Sequence, residues 1–412
     1  MSEQAAKFDK SYEWKAVLLL FLGFGLVGLD RWVISALFPS MKGELHFDNQ
    51  DLGIIGGALA ISWGVFSMVM GNLSDRLGRR RILIPALIGF SAMSGLSGIV
   101  TALPMLVLCR VVMGATEGAF LSTSVALTGE ASHPRRLGFN QGIQLSSFSL
   151  FGLLLGPILA TQLLQVVSWR WVFVIVAIPG FILAFFLYRV IREPAHLRTP
   201  AAQAAHTPLP WRQALASRNV ILAMIAMFCG MSCIFVLGNM VPTYLSEYVG
   251  LKPVQMGFVT SGLGVGGFIG GIIVPAASDH LGRRLTSVLS FVFVGLSVFG
   301  FAHAGTAPLA LFACLVGASF FGNGVLSLLT GPVATEAVPA GLTSSAIGLC
   351  SGAGELLGGG LGSILAGYVA KHYGIDKIPL FTLAGIVLGV FVSLLLRETA
   401  PRRVRAAAAS AG

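Results

Sequence analysis

Twelve long apolar segments constrain the fold of this chain more than any other feature. Each has at least about 18 residues, which is enough to cross the ~30 Å hydrocarbon layer of a bilayer as an α-helix. Their approximate positions are 14–38, 51–74, 82–102, 104–130, 137–166, 169–190, 218–246, 253–278, 285–304, 307–335, 342–370 and 378–396. Only 11% of the residues are charged, against about 25% in soluble domains. The sequence therefore predicts an all-α integral membrane protein. No small-residue cleavage site follows the first segment, so it is predicted to remain as a helix and not to be a signal peptide.

The positions of the basic residues explain the net charge of +10. With the N-terminus inside, twenty of the 27 lysines and arginines fall in the predicted cytoplasmic loops and chain ends. Five fall on the opposite side, namely Lys42, Arg170, Lys252, Lys371 and Lys377. By the positive-inside rule, this asymmetry predicts that both termini are cytoplasmic. The basic charge thus indicates topology, and no nucleic-acid partner is predicted.

The chain contains an internal repeat. Residues 71–81 read G-N-L-S-D-R-L-G-R-R-R and residues 275–284 read P-A-A-S-D-H-L-G-R-R. Asp75 and Asp279 correspond at an offset of 204 residues, and Glu130 and Glu336 at an offset of 206. A parallel duplication of this kind is typical of secondary transporters that bind substrate between two halves.

The repeat and the composition predict four regions. An N-terminal six-helix half covers residues 1–190, and a C-terminal six-helix half covers 218–397. A linker rich in Ala, Pro and charge, predicted to be cytoplasmic, joins them over 191–217, and a cytoplasmic tail covers 398–412.

Five ionisable residues lie inside predicted spans, where each costs roughly 2.5–3.5 kcal/mol on insertion scales. They are Asp30, Arg31, Arg110, Glu117 and Glu355. Arg110 and Glu117 are seven residues apart, so they share one helix face. Because adjacent helical residues point about 100° apart, Asp30 and Arg31 are not expected to satisfy each other, and Arg110 and Glu117 are the predicted partners.

Two interpretations of Asp30, Arg31, Arg110 and Glu117 stay open on the sequence. The four can neutralise one another as a structural charge network. Alternatively, an anionic substrate displaces an internal carboxylate from an arginine, whose planar fork matches a carboxylate. The freed acid, in low dielectric, then takes up a proton. Anion binding and protonation would be linked in this second case.

Glu355 lies in G-A-G-E-L-L-G-G-G, where the glycines allow close backbone approach or local unwinding. Three interpretations of Glu355 stay open. It is a third proton site, a cation-binding group or a neutral hydrogen-bonded acid. Further polar residues at cavity depth are candidate substrate contacts, although each is also a candidate interhelical hydrogen bond. They are Gln141, Gln144, Asn239, Tyr244 and Asn323.

The loop G-x-x-x-D-R-x-G-R-R-R resembles the signature loop of the major facilitator superfamily, and its degenerate second copy stands where that family repeats it. The resemblance covers residues 14 to 397 and implies twelve transmembrane helices in two pseudo-symmetric halves. It also implies that the Asp and Arg of the loop form a gate latch. The residues assigned to gating are Asp75, Arg76, Arg79, Glu130, Asp279 and Arg283.

The pair D-R in the first segment, with R-V-V-M-G-A-T-E in the fourth, resembles the anion:cation symporter branch of that superfamily. This resemblance implies that Asp30 and Glu117 couple protons and that Arg31 and Arg110 bind substrate. Spinster-like lipid transporters share the same charges. Glu355 departs from the sugar-acid symporter pattern, and it is added to the candidate proton sites.

These observations together predict a proton-coupled symporter that takes up a small organic anion, such as a sugar acid or an aromatic carboxylate. The alternative is a proton-antiport exporter of drugs, amphipathic compounds or lipids. The predicted partners are the anion, protons and the lipid bilayer of the inner membrane, with the chain acting as a monomer. The sequence carries no nucleotide fingerprint, metal-ligand spacing or nucleophile–base pair, so no enzymatic activity, cofactor or metal is predicted.

Overall fold

The computed structural model describes residues 9–133, 136–192, 211–339 and 343–400, and every regular element within these ranges is helical. Nine helices are unbroken: α1 (Lys10–Leu45), α2 (Asn49–Leu77), α3 (Arg79–Ser97), α4 (Leu103–Ala131), α6 (Trp169–Val190), α7 (Arg218–Glu247), α8 (Pro253–Leu281), α9 (Arg283–His303) and α12 (Ile378–Leu394). The other three contain a π-helical stretch: α5 (Leu137–Phe148, Ser149–Leu155, Gly156–Leu163), α10 (Pro308–Leu328, Leu329–Val333, Ala334–Glu336) and α11 (Thr343–Ala353, Gly354–Leu361, Gly362–His372).

Eleven of these described helices are long and apolar enough to cross a membrane by length and composition. The twelfth, α3, has 19 residues and begins with three arginines. The predicted all-α, twelve-helix membrane fold is confirmed, and the chain is a multi-pass membrane protein. Several helices exceed the apolar segments. For example, α1 starts at Lys10, where the Asp9 side chain accepts a hydrogen bond from the amide of Tyr12, because a helix cap, and not hydropathy, sets the end of a helix.

The two copies of the repeated loop fold in the same way. Gly78 separates α2 from α3 with φ 100°, and Gly282 separates α8 from α9 with φ 97°. Residues with a Cβ rarely adopt this conformation, so a one-residue turn between two helices requires glycine here. The repeat in the sequence thus corresponds to a repeat of backbone geometry.

Helices of the two six-helix halves pack against each other through small residues. A Cβ on Gly367 of α11 would lie 2.9 Å from the Cα of Gly53 of α2. A Cβ on Gly264 of α8 would overlap the backbone of Leu154 in the π-helical stretch of α5. Glycines permit such close backbone approach between membrane helices. The packing places α1 and α7 at the centre: 78% of an apolar 18-residue stretch of α1 and 67% of one in α7 are buried, against 39% in α12.

Ion pairs hold the halves together at one end of the bundle. We call the end at which α1 begins the basic end and the opposite one the far end. At the far end, Lys42 of α1 contacts Glu247 of α7 at 2.6 Å, and Lys371 of α11 contacts Asp48 before α2 at 2.8 Å. The ion pairs described at the basic end join residues of the same half, for instance Arg136 with Glu13. Closure between the halves is therefore strongest at the far end.

Candidate functional site

The five ionisable residues of the predicted spans converge at the centre of the bundle. Asp30 and Arg31 come from α1, Arg110 and Glu117 from α4, and Glu355 from the π-helical stretch of α11. Their exposed fractions are 2%, 5%, 1%, 0% and 3%, respectively. We call these five residues the central charge cluster. Since so little of any of them contacts solvent, the cluster is closed off from both ends of the bundle.

Arg31 forms the one ion pair described within the cluster. Its Nη2 lies 3.0 Å from Oε2 of Glu355, and the pair joins α1 of the first half to α11 of the second. The sequence interpretation placed the partners of Asp30 and Arg31 on α4, and for Arg31 this was wrong. The reason is that α11 approaches the centre from the opposite half, a neighbour that helical spacing along one segment cannot reveal.

Aromatic faces surround the guanidinium of Arg31. Its Cζ lies 4.4 Å from the ring centre of Phe235, 5.3 Å from that of Trp63 and 5.9 Å from that of Phe148. Buried cation–π contacts of this kind are worth about 2 kcal/mol when desolvated. Sequence reasoning missed Phe235 and Phe148, because an aromatic residue in an apolar span gives no signal that distinguishes it from core. Together with Glu355, these rings hold the guanidinium of Arg31 in place.

Asp30 and Arg110 meet through the main chain. The hydroxyl of Ser94 in α3 donates to Oδ1 of Asp30 at 2.6 Å. Nη1 of Arg110 donates to the backbone carbonyl of Asp30 at 3.1 Å. Arg110 thus lies beside Asp30, as predicted, but it contacts the carbonyl and not the carboxylate. Ser94 is a site residue that the sequence did not indicate.

Several polar atoms of the cluster lack a hydrogen-bond partner among the residues that the structure describes. They are Nη1 of Arg31, Nε and Nη2 of Arg110, and both carboxyl oxygens of Glu117. The charged groups that act on Glu117 are Arg31, Asp30, Arg110 and Glu355. Because buried polar groups are nearly always paired in folded proteins, such a concentration of unpaired atoms points to a ligand or to moving protons.

A small cavity adjoins the cluster. It has a volume of about 10 Å³ and is lined by Arg31, Arg110, Phe235 and Asn239, among others. This is room for about one water molecule. An organic ligand therefore needs the helices to separate before it can reach the two arginines.

The predicted polar contacts divide into two groups. Asn239 lines the cavity, accepts a hydrogen bond from Ser35 of α1 at 3.3 Å and donates to Ser363 of α11 at 3.1 Å. The remaining four residues make contacts away from this cavity lining. Gln141 donates a hydrogen bond to the carbonyl of Val125. Gln144 accepts a hydrogen bond from Thr128 and donates one to Ser124. Asn323 donates to Ser319, and the ring of Tyr244 packs on those of Tyr248 and Phe301. In this conformation, only Asn239 is placed at the central charge cluster.

The residues assigned to gating form two equivalent clusters at the basic end. Arg79 of α3 contacts Glu130 of α4 at 2.8 Å and donates to Ser74 at 2.6 Å. In the second half, Arg283 contacts Glu336 at 2.9 Å and Asp279 at 2.7 Å and donates to Ser278. The side chains of Asp75 and Arg76 lie outside the described residues. Each described gating pair lies within one half.

Comparisons with known proteins agree with this architecture. Residues 20–359 match the family described as Major Facilitator Superfamily. The hexuronate transporter of Bacillus subtilis (strain 168) is 26% identical over 397 residues, covering 92% of each chain. The D-galactonate transporter of Escherichia coli O6:H1 is 23% identical over 419 residues, covering 92% of this chain and 94% of that protein.

A solved structure has the same fold. The crystal structure of a bacterial homolog of the human lysosomal transporter Spinster, in an inward-facing and unoccupied conformation, matches with a TM-score of 0.79 at 16% identity. The match covers 94% of this chain and 97% of that chain.

Proposed function

The chain belongs to the Major Facilitator Superfamily, whose members are transporters and not enzymes, and we propose that it takes up a small organic anion by proton symport. Sugar acids are the substrates we favour, with aromatic carboxylates as the next class. The transporter acts as a single chain in the inner membrane. The two halves rock about the central charge cluster, so that the cluster opens to one side at a time.

The unpaired guanidinium nitrogens carry this proposal. Arg31 and Arg110 both line the central cavity, and three of their buried nitrogens have no partner in the described part of the chain. A carboxylate is the group that fits a guanidinium fork with two parallel hydrogen bonds. The relatives named as hexuronate and D-galactonate transporters carry sugar acids, which supports the same substrate chemistry.

The charge balance of the central charge cluster supports proton coupling. The cluster holds three carboxyl groups and two guanidinium groups, and a bound anion adds negative charge in a dry, low-dielectric site. An uncompensated buried charge is costly, so a carboxyl group must take up a proton when the anion binds. We assign proton coupling to the three carboxyl groups that border the two arginines, namely Asp30, Glu117 and Glu355.

The basic end is proposed to face the cytoplasm, with both termini inside, because the positive-inside rule favours this orientation. The ion pairs at the far end then close the bundle toward the outside. Asp75, Arg76, Arg79, Glu130, Asp279 and Arg283 are proposed to close the cytoplasmic side in the outward-open state. Asn239 is proposed to contact the substrate directly, and Gln141, Gln144, Tyr244 and Asn323 to join it after the halves have moved.

A two-stage experiment tests the proposal. The purified protein is first screened for thermal stabilisation by hexuronates, aldonates, aromatic acids, cationic drugs and lysolipids. The stabilising acid is then offered, radiolabelled, to proteoliposomes with and without an inward proton gradient. We expect stabilisation by a carboxylate and uptake stimulated by the gradient. Stabilisation only by drugs or lipids would instead favour an exporter, and uptake indifferent to the gradient would refute proton coupling.

A further inference from the structure

Glu355 occupies the place on Arg31 that an anionic substrate needs. Its Oε2 contacts Nη2 of Arg31 at 3.0 Å, while Nη1 has no partner among the residues that the structure describes. Both side chains are about 95% buried, since each exposes 5% of its surface. A carboxylate that binds bidentately uses two guanidinium nitrogens. It therefore cannot bind Arg31 in this way until Glu355 releases Nη2.

We propose that Glu355 is a tethered counter-ion that stands in for the substrate carboxylate on Arg31 when the transporter is empty. The inference rests on the proposed function for the identity of the competing anion. A substrate carboxylate forms two hydrogen bonds to Arg31 in place of the one that Glu355 makes. Glu355 is then released into a buried site where no cation pairs with it, so it takes up a proton. Exchange of one carboxylate for another on the same guanidinium then links anion binding to protonation.

The pair also explains how an empty transporter can close. Arg31 belongs to α1 and Glu355 to α11, so their contact links the two halves at the centre of the bundle. Without a counter-ion, a guanidinium buried among Phe235, Trp63 and Phe148 would be uncompensated, which is strongly unfavourable. Glu355 supplies that compensation, so the empty carrier can pass through the closed state and return for another anion.

Glu117 differs from Glu355 in a way that provides a matched control. It is equally buried and also lies near Arg31, but neither of its oxygens has a hydrogen-bond partner among the described residues. A carboxyl group without a donor is best accommodated in its neutral form. Removing Glu117 therefore does not free an arginine, whereas removing Glu355 does.

The first test is chemical rescue, and it does not depend on the identity of the substrate. Glu355→Ala leaves Arg31 unpaired beside the space of a short carboxylic acid. We expect propionate to raise the unfolding temperature of Glu355→Ala at a concentration at least ten-fold lower than in the wild type or in Glu117→Ala. Propionamide, which has the same shape without the charge, should have no such effect. Equal responses to propionate in Glu355→Ala and Glu117→Ala would overturn the proposal.

The isosteric variant Glu355→Gln serves if Glu355→Ala does not fold. Its Arg31 also lacks a counter-ion, so its half-saturating propionate concentration should again fall at least ten-fold below that of the wild type. An unchanged value would overturn the proposal. This assay needs no transport activity, so it separates a failure of the counter-ion proposal from a failure of the proposed function.

Transport assays with glucuronate and galactonate examine the same step in the working protein. We expect Glu355→Gln to bind the transported acid at least ten-fold more tightly, to exchange it across the membrane and to lose most net uptake, because the empty carrier cannot close. Net uptake at the wild-type rate would contradict the role of the pair in the return step. If the wild type binds neither acid, the proposed substrate class is wrong, while the propionate result still decides whether Glu355 is a counter-ion.

Discussion

At the scale of single residues, Glu117 is the acid whose surroundings best suit reversible protonation. It is fully buried, and neither carboxyl oxygen is hydrogen-bonded within the described structure. We predict that Glu117→Gln abolishes accumulation driven by a proton gradient, because the amide cannot release a proton, and that counterflow exchange persists. Assays of radiolabelled uptake and of counterflow in the same proteoliposomes measure the accumulation and the exchange, respectively.

The outcome separates two roles of Glu117. Equal loss of both activities would indicate that it belongs to a purely structural charge network. Glu44→Gln is a suitable control, since Glu44 pairs with Arg170 at the far end and lies within one half.

At Arg31, the effect of side-chain geometry on substrate binding can be separated from the effect of charge. Lysine keeps the charge but lacks the planar fork that binds a carboxylate with two hydrogen bonds. We predict that Arg31→Lys raises the KM for the transported acid at least ten-fold and that Arg31→Ala removes thermal stabilisation by that acid. Stabilisation retained in Arg31→Ala would exclude Arg31 from substrate binding. Arg170→Lys, which changes an arginine at the far end, should leave the KM within about two-fold.

At the scale of elements, the close approach of α2 and α11 keeps the far end shut. A Cβ on Gly53 would overlap the backbone carbonyl of Ser363 and lie 3.1 Å from the amide nitrogen of Gly367. Backbone atoms cannot move aside as flexible side chains do, so Gly53→Val should force the two helices apart. We predict that it slows uptake at least ten-fold in a protein that still folds.

A reporter cysteine makes this opening measurable. Ile55 lines the central cavity and is 0% exposed. Ile55→Cys should therefore react with an impermeant maleimide from the far side markedly faster when Gly53→Val is also present. Gly142→Ala is the control, because a Cβ at Gly142 meets no described atom within 4 Å. If Ile55→Cys is labelled equally with and without Gly53→Val, the contact between α2 and α11 does not keep the far end shut.

At the scale of the whole molecule, the ion pair between Asp48 and Lys371 makes closure of the far end depend on pH. Burial raises the pKa of Asp48, but the ammonium of Lys371 and the amides of Asp51 and Gln50 outweigh it and hold the pKa below the ordinary 3.8. A carboxyl group with a lowered pKa keeps its stabilising contact above the ordinary value and loses it as the pH falls through the lowered one. We predict that this pair contributes fully to far-end closure between pH 5 and 8 and that its contribution is lost only below about pH 4, measured by labelling of Ile55→Cys.

Substitutions at the same pair isolate the charge from the helix cap. Asp48 also caps α2 by accepting hydrogen bonds from Gln50 and Asp51, and asparagine preserves such a cap. Asp48→Asn and Lys371→Ala should therefore increase far-end labelling to a similar extent at pH 7. Lys377→Ala removes a pair between sequence neighbours, Lys377 and Asp376, and should have no effect. Equal labelling in all three variants would show that the pair does not hold the far end shut.

Most of the fold follows from local sequence signals. Long apolar segments specify helices of membrane length, and the repeated L-G-R-R specifies the same tight turn in both halves because only glycine readily takes φ near 100°. The π-helical stretches were not predicted, although the glycines around Glu355 indicated irregular backbone. Two of the three, Ser149–Leu155 and Gly354–Leu361, lie where α5 and α11 pack across the halves. Such adjustments depend on a neighbouring helix, and a single segment does not specify them.

The sequence by itself determined which charges enter the membrane, since each ionisable residue in an apolar span stands out by its cost. Only the tertiary structure decided how those charges meet. It paired Arg31 with Glu355, 324 residues away, and placed Ser94 on Asp30. It also left Glu117 without a donor in the described part of the chain. The physical reason is that lipid and helix interior are equally apolar, so hydrophobicity does not select the neighbours of a membrane helix. Close packing of small residues selects these neighbours, and this packing is defined only when both helices are in place.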